Sequence, residues 1–322
     1  MPADLTARGP WGVGARTVEL DGQHVEIWYP ATMENQPRAR YDLRAAMPPA
    51  EAAKIPDADN AWLDCECSRD VPLDTQHGAY PVVLFLHGAA SFRAQSTFLA
   101  THWASRGFIV IAPDLPGVGL LAILGGEPTV YPLVWPSTVL DAIVKPRASD
   151  PFAPVRARMM AGRVAVVGHS LGAMLAQTLN ERAEVVVRIA LAGAIASAPG
   201  SVLAIAGATD GIAPPSRTPV AGARIAVVAG AGHLAFTDLC GVGADRGGSL
   251  AIARAHGVTI PPMIETLAQD GCRPTDAPFA ATAPLIRGLT TGVLEETLHC
   301  DATRTTAIRE LGSRSGLELQ QH

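Results

Sequence analysis

The sequence predicts an α/β fold with a mostly parallel sheet, and two observations support this class. Short apolar runs without polar alternation recur from Pro81 onward, as in strands covered on both faces. Helical stretches separate these runs, which implies right-handed crossovers between parallel strands and helices on both faces of the sheet. The predicted strands are residues 82–86, 108–112, 163–167, 186–191, 202–206 and 224–229.

An antiparallel hairpin is predicted ahead of these strands. Residues 17–20 and 24–29 form two largely alternating runs on either side of Asp21-Gly22. An Asp-Gly pair between two such runs is a strong signal for a tight hairpin turn.

The segments between the hairpin and the helical end of the chain vary in pattern. Five prolines in residues 31–80 favour an irregular excursion, with a weak helical pattern only around residues 49–54. Helices are expected at residues 95–105 and 171–182, each between two predicted strands.

The last third of the chain, residues 249–312, is predicted to be mostly helical, with breaks at Pro261-Pro262 and at residues 271–278. No internal repeat or linker is found, so a single domain over residues 1–322 is the economical interpretation. It divides into a hairpin, an excursion, a core and a helical C-terminal part, at residues 10–30, 31–80, 81–240 and 241–322.

Composition restricts the possible classes of function. Hydrophobic residues make up 48% of the 322 residues and charged residues 17%, which excludes a disordered interaction protein. The net charge is −5 and no arginine cluster forms a basic patch, so no nucleic-acid partner is expected. No window approaches the roughly 18 apolar residues of a membrane span. Residues 1–9 lack a signal-peptide pattern, so the localisation stays open between an intracellular protein and one whose leader was removed.

The five cysteines predict disulfides better than a metal site. Cys65 and Cys67 form a C-x-C pair without the further ligands of a zinc framework, so no metal is expected. One or two disulfides and a remaining thiol are the simplest interpretation. We expect Cys240 to pair with Cys272 or Cys300, which would tie the segment after His233 to the helical tail.

A serine lies in a glycine-rich turn between a predicted strand and a predicted helix. The segment is Gly168-His169-Ser170-Leu171-Gly172, which matches the pattern G-x-S-x-G. A nucleophile on such a turn has a strained backbone, and flanking glycines remove collisions with the strand and the helix. A purely structural turn would leave the central serine unexplained. We therefore interpret Ser170 as a nucleophile.

A serine hydroxyl needs a neighbouring base and an acid that orients this base. Asp210 and His233 each lie four residues after a predicted strand, at 202–206 and 224–229, and Ser170 lies three residues after its own strand. The carboxyl ends of parallel strands meet at one edge of a sheet, so these side chains are expected to lie together. The order serine, acid, histidine predicts the catalytic set Ser170, Asp210 and His233.

Other histidines and aspartates fit these roles less well. His169 adjoins Ser170 but should point away from it on the turn. His256 and His299 lie in the helical tail, with no strand before them. Asp114 precedes the serine in the sequence, and Asp238 is expected to cap the segment that follows it.

An oxyanion hole is predicted at the turn His87-Gly88-Ala89-Ala90, which follows the first parallel strand. Gly88 permits close approach of the backbone, so the amides of Ala89 and Leu171 are expected to stabilise the developing negative charge. His87 is expected to shape this turn and not to act as the base.

These motifs resemble those of the α/β-hydrolases, and in particular the bacterial dienelactone-hydrolase-like group, from Gly9 to about Pro284. That group is similar to platelet-activating-factor acetylhydrolases and to cutinase-like polyester hydrolases. The segments that carry the resemblance are residues 12–17, 28–30, 87–88, 168–172, 207–214 and 230–236. The resemblance implies the α/β-hydrolase fold and an esterase without a metal or organic cofactor.

Two departures from those relatives concern the substrate. Dienelactone hydrolases have a cysteine nucleophile, whereas this chain has Ser170, which argues against that lactone. Polyester hydrolases carry aromatic residues at two places that correspond here to Ala89 and to Ala194-Ile195. A cleft that grips aromatic rings is therefore not expected.

The sequence predicts a serine carboxylic-ester hydrolase acting on a small-molecule ester. Thioester, amide, carbon–carbon or polyester hydrolysis remains the alternative, and a non-catalytic binding module would lack one of the three residues.

The expected substrate follows from four stretches at the same sheet edge, residues 89–92, 116–135, 192–198 and 234–236. They carry no Lys or Arg, and Glu127 is their only acidic residue. An aliphatic pocket for neutral esters with short or medium acyl groups is expected. Residues 116–135 are interpreted either as a pocket wall or lid, or as a helix packed on the sheet.

Overall fold

A large twisted sheet organises the computed structural model, which describes residues 1–32, 37–194, 196, 198–215, 221–315 and 318–321. The strands of the described chain are β1 (Gly12–Leu20), β2 (Gln23–Ala31), β3 (Arg40–Asp42), β4 (Trp62–Asp64), β5 (Ser68–Arg69), β6 (Tyr80–Leu86), β7 (Ile109–Pro113), β8 (Met159–His169), β9 (Val185–Leu191), β10 (Ser201–Gly207), β11 (Ala223–Val228) and β12 (Glu318–Gln321).

The main sheet has the strand order β12-β11-β10-β9-β8-β6-β7-β2-β1-β5, and β6 to β11 run parallel. Each of the six predicted strands corresponds to one of these. The predicted hairpin is β1 and β2, which pair antiparallel around Asp21-Gly22, and β2 continues the sheet antiparallel to β7. The predicted sheet with an N-terminal antiparallel hairpin is therefore confirmed.

Helices cover both faces of this sheet. They are α1 (Pro49–Ala52), α2 (Thr97–Ser105), α3 (Leu120–Leu124), α4 (Trp135–Val144), α5 (Ala153–Arg156), α6 (Leu171–Ala176), α7 (Ser249–Ala255), α8 (Pro262–Leu267), α9 (Phe279–Leu298) and α10 (Arg304–Ser315). Helices α2 and α9 pack on one face, and α4 and α6 pack on the other.

The two faces explain why the parallel strands are apolar without alternation. In β6, Val82, Leu84 and Leu86 belong to the core on the α4 side, whereas Val83 and Phe85 belong to the core on the α2 side. Successive side chains of a strand point to opposite faces, so burial on both sides requires an apolar residue at every position.

Three parts of the structure differ from the prediction. The excursion is not wholly irregular, because β3 and β4 form a small antiparallel sheet and β5 pairs with β1. The helical C-terminal part ends with β12, which lies antiparallel to β11. The helix expected at residues 171–182 is shorter, since α6 continues only as a 3-10 turn at Gln177–Leu179. Among the described residues, no helix has the length and apolar character needed to cross a bilayer.

Candidate active site

Ser170 lies at a sharp turn between β8 and α6. Its backbone has φ 54° and ψ −118°, a region that residues other than glycine rarely adopt. A Cβ atom at Gly168 would lie 2.3 Å from the carbonyl carbon of Gly172, and one at Gly172 would lie 2.1 Å from the carbonyl oxygen of Leu86. Side chains are therefore excluded at both flanking positions, as the motif predicts.

The loops after β10 and β11 bring an acid and a histidine to this serine. His233 Nε2 lies 3.0 Å from Ser170 Oγ, and His233 Nδ1 lies 2.9 Å from Asp210 Oδ2. Asp210 is 4% exposed and His233 is 2% exposed, whereas Ser170 is partly exposed. The three residues selected from the sequence thus form one hydrogen-bonded chain that ends at an accessible hydroxyl.

The surroundings of Asp210 favour its charged form. Burial alone would raise the pKa of the Asp210 carboxyl, but hydrogen bonds from His233 and from the Ala213 and Ile212 amides lower the pKa below its ordinary value. An ionised carboxylate holds the proton on His233 Nδ1. The other ring nitrogen, Nε2, is then the acceptor that faces the serine hydroxyl.

The two amides selected for an oxyanion hole belong to segments of backbone close to Ser170. Leu171 is the first residue of α6, where backbone N–H groups have no acceptor within the helix. Ala89 follows Gly88, and a Cβ atom at Gly88 would lie 3.4 Å from Ser170 Cβ. Within the described chain, neither amide donates to another residue. Both N–H groups are thus free to donate to a group outside the described chain.

His87 and His169 have structural partners and do not contact the serine hydroxyl. His87 Nδ1 lies 2.7 Å from the Gly88 carbonyl oxygen, and its Nε2 accepts the Leu115 amide at 3.0 Å. His169 Nε2 lies 3.1 Å from the His233 carbonyl oxygen. Burial, followed by the nearby His233, lowers the pKa of His169 to about 3, so His169 is neutral at ordinary pH.

The other rivals have contacts of their own. Asp238 accepts hydrogen bonds from the Thr97 hydroxyl and the Phe98 amide, so it caps α2 and not the segment that follows it, which corrects the prediction. The remaining three have separate contacts: Asp114 with Arg93, His256 with Asp59, and His299 with the ring of Phe108.

A cleft of about 600 Å³ opens at Ser170 and His233. Of the four predicted stretches, residues 89–92 line it, and Leu120 and Leu234 are the contributions of two others. The described part of residues 192–198 does not line the cleft, while Ile195 and Ser197 lie outside the described residues.

Most of the remaining residues that line the cleft belong to the C-terminal part, residues 241–322, which the sequence did not indicate. They lie in α7, α8 and the segments beside them. Arg254 and Arg273 are among them, so the expectation of a cleft without basic residues is wrong. Each has a carboxylate partner: Glu265 lies 2.7 Å from Arg254, and Asp270 lies 3.2 Å from Arg273.

A side crevice of about 90 Å³ adjoins the cleft between the excursion and α7 and α8. The residues that line both spaces are Leu43, Leu120, Ser249, Leu250 and Ile264. The other apolar side chains of the crevice are Met47, Ile55, Ala61, Leu124, Ile252, Ala253, Val258 and Ile260. Besides Ser249, its polar members are Arg44 and Asn60, which both donate to Asp42. The crevice is therefore an apolar space beside the candidate nucleophile.

Among the described residues, no group of three or more His, Cys, Asp or Glu side chains is arranged to hold a metal ion.

Comparison with known proteins agrees with this architecture. Residues 83–235 match the family described as the Alpha/beta hydrolase family. A solved ferulic acid esterase from Streptomyces cinnamoneus is 20% identical to the chain, with a TM-score of 0.62 over 92% of each protein. At this identity the likeness concerns the fold. No curated protein matches the chain. The chain has the α/β-hydrolase fold, and the family match supports the α/β-hydrolase superfamily.

Proposed function

We propose that this protein is a serine carboxylic-ester hydrolase that acts through an acyl-enzyme. Ser170 is the nucleophile, His233 the general base and Asp210 the acid that orients it. The observation that carries this proposal is the hydrogen-bonded chain from Ser170 Oγ through His233 to Asp210 at a strained turn facing a cleft.

The reaction follows from these positions. His233 Nε2 takes the proton of Ser170 Oγ while this oxygen attacks the ester carbonyl carbon. The amides of Ala89 and Leu171 donate to the oxyanion of the tetrahedral intermediate. Collapse breaks the bond to the alcohol oxygen, which receives the proton from His233. Water then repeats these steps on the acyl-enzyme and releases the acid, restoring the serine hydroxyl.

The cleft favours a neutral ester with a short or medium acyl group. Apolar side chains dominate the crevice, and two of its three polar residues, Arg44 and Asn60, are already hydrogen-bonded to Asp42. The arginines at the cleft wall have carboxylate partners, which reduces their attraction for an anionic substrate. Thioesters, amides and polyesters would react through similar acyl-enzyme chemistry, so they are the competing substrates in any assay.

Substitution of the three residues tests the proposal. Ser170→Ala and His233→Ala should reduce hydrolysis of p-nitrophenyl butyrate by roughly 10⁴-fold or more, and Asp210→Asn somewhat less, with the fold retained. Labelling of Ser170 by an organophosphonate, followed by mass spectrometry, should fail in Ser170→Ala.

Asp114 and Asp238, the other candidates for the acid, provide the matched controls. Asp114→Asn and Asp238→Asn should keep most of the activity. If Asp210→Asn kept most activity while one of these two lost it, the acid would have to be reassigned. Higher kcat/KM for thioesters or amides than for every ester would contradict the ester specificity.

A further inference from the structure

Asp270 lies in the segment between α8 and α9, far along the chain from Asp210 and His233. It is 1% exposed and does not line the cleft. A buried carboxylate requires hydrogen bonds or an opposite charge, so its partners indicate its function.

Each carboxylate oxygen of Asp270 binds one of the two catalytic loops. Oδ1 accepts the backbone amide of His233 at 2.7 Å, and Oδ2 accepts the amide of Gly211 at 2.9 Å. Gly211 directly follows Asp210 in the sequence. The Asp270 carbonyl oxygen also accepts the amide of Leu234 at 2.8 Å. Asp270 therefore links the backbone directly after Asp210 to the backbone of His233.

The loops are shaped to admit this carboxylate. A Cβ atom at Gly232 would lie 2.6 Å from Asp270 Oδ1, and one at Gly211 would lie 3.0 Å from Oδ2. Glycine at these positions thus lets the carboxylate approach both backbones.

The segment that carries Asp270 is itself anchored. Asp276 Oδ2 accepts the amides of Gly271 and Arg273, both at 3.0 Å. A disulfide joins Cys272 to Cys240, which lies beyond the His233 loop. Asp270 is therefore anchored within its own segment as well as by the two loops.

We propose that Asp270 is a positioning residue that fixes the distance between Asp210 and His233 through their backbones. This inference rests on the proposed hydrolase function. Asp270 touches neither the substrate nor the reacting atoms, and its ion pair with Arg273 at the cleft wall has little effect on an uncharged ester. Its loss should therefore affect the rate of chemistry more than the binding of such a substrate. Displacement of catalytic groups by about 1 Å can cost on the order of 100-fold in rate.

Asp270→Asn tests this role without changing the size of the side chain. Its amide has one acceptor oxygen, whereas both carboxylate oxygens of Asp270 accept a backbone N–H. The amide NH₂ would face one of these donors. We expect kcat for p-nitrophenyl butyrate to fall roughly 10- to 100-fold with KM changed less than about twofold. The rate of organophosphonate labelling of Ser170 should fall in parallel.

Asp276→Asn is the matched control on the same segment. A single oxygen of Asp276 accepts both backbone amides, so an asparagine oxygen can keep both bonds. This variant should retain kcat within about threefold. Equal kcat values for Asp270→Asn and Asp276→Asn, with Ser170→Ala inactive, would overturn the positioning role alone. An active Ser170→Ala would instead overturn the proposed hydrolase mechanism.

Gly211→Ala tests the positioning role of Asp270 if the Asp270→Asn variant does not fold. The added methyl group would crowd Asp270 Oδ2 and leave all hydrogen-bonding groups present. A kcat reduced at least threefold, with unchanged KM and a wild-type circular dichroism spectrum, supports the proposal. A wild-type kcat in this variant overturns it.

Discussion

Asp238 carries a partly buried carboxylate at the start of α2. Desolvation raises the pKa of Asp238 to about 6, although the Phe98 amide and the Thr97 hydroxyl donate hydrogen bonds to it. The charged form is therefore disfavoured in the folded protein, even though the side chain serves as a helix cap.

The raised pKa predicts a dependence of stability on pH. The ordinary pKa of an aspartate is about 3.9, so the folded protein binds more protons than the unfolded chain between about pH 4 and pH 6. The contribution of Asp238 to stability is thus favourable at low pH and decreases as pH rises through this window. The decrease should amount to roughly 2–3 kcal/mol, since one pKa unit corresponds to about 1.4 kcal/mol.

Asp238→Asn should remove this contribution to the pH dependence. Both hydrogen bonds go to one oxygen of Asp238, so the asparagine can retain them. Urea unfolding from pH 4 to pH 8 should show that the variant gains stability relative to wild type as pH rises. A constant difference between the two proteins over this range would contradict the shifted pKa.

At the scale of elements, α7 separates the cleft from the side crevice. Ala251 lines the cleft and Ala253 lines the crevice, so the same substitution on one helix distinguishes the two spaces. If the crevice receives the apolar arm of the ester, each buried methylene adds up to about 0.8 kcal/mol until the space is full.

Ala253→Leu should shorten the acyl chain that gives the highest kcat/KM in a series of p-nitrophenyl esters. The acetate ester should react as in wild type, because its acyl group does not reach the crevice. Ala251→Leu, the control, should not change the preferred chain length. An unchanged optimum in Ala253→Leu would show that the acyl arm binds elsewhere.

The elements differ in how far the sequence predicts them. The parallel strands and the positions of Ser170, Asp210 and His233 follow from local patterns, since unbroken apolar runs mark buried strands and the motifs keep fixed offsets from them. The short strands β3, β4 and β5 have too few residues to show a period. Strand β12 consists mainly of polar residues at the edge of the sheet, so it lacks an apolar run.

The cleft wall was predicted less well because it depends on distant contacts. Residues 116–135 follow β7 and were therefore expected at the same edge of the sheet as Ser170. Leu120 is their contribution to the cleft, however, and Tyr131 and Val134 are exposed. Helices α7 and α8 contribute much of the rest of the cleft lining. No local pattern indicates which surface helix packs across a site, and Asp270 likewise has no motif of its own.

At the scale of the whole molecule, a disulfide connects the core to the C-terminal part. Cys240 pairs with Cys272, one of its two predicted partners, and the bond closes a loop with a sequence separation of 32. Cys65 pairs with Cys67, and Cys300 is free and exposed. The predicted arrangement of one or two disulfides with a remaining thiol is confirmed.

Removal of the Cys240–Cys272 bond should destabilise the protein while leaving its sheet intact. Closing a loop of this size restricts the unfolded chain by about 3–4 kcal/mol in the chain-entropy description. Cys240→Ala combined with Cys272→Ala should lower the free energy of unfolding by about this amount in urea, whereas Cys300→Ala should leave it nearly unchanged.

Thiol titration of the unreduced, denatured wild type should find one reactive thiol per chain. Five reactive thiols, or equal stability of the double variant and Cys300→Ala, would contradict a stabilising link between the His233 loop and the tail.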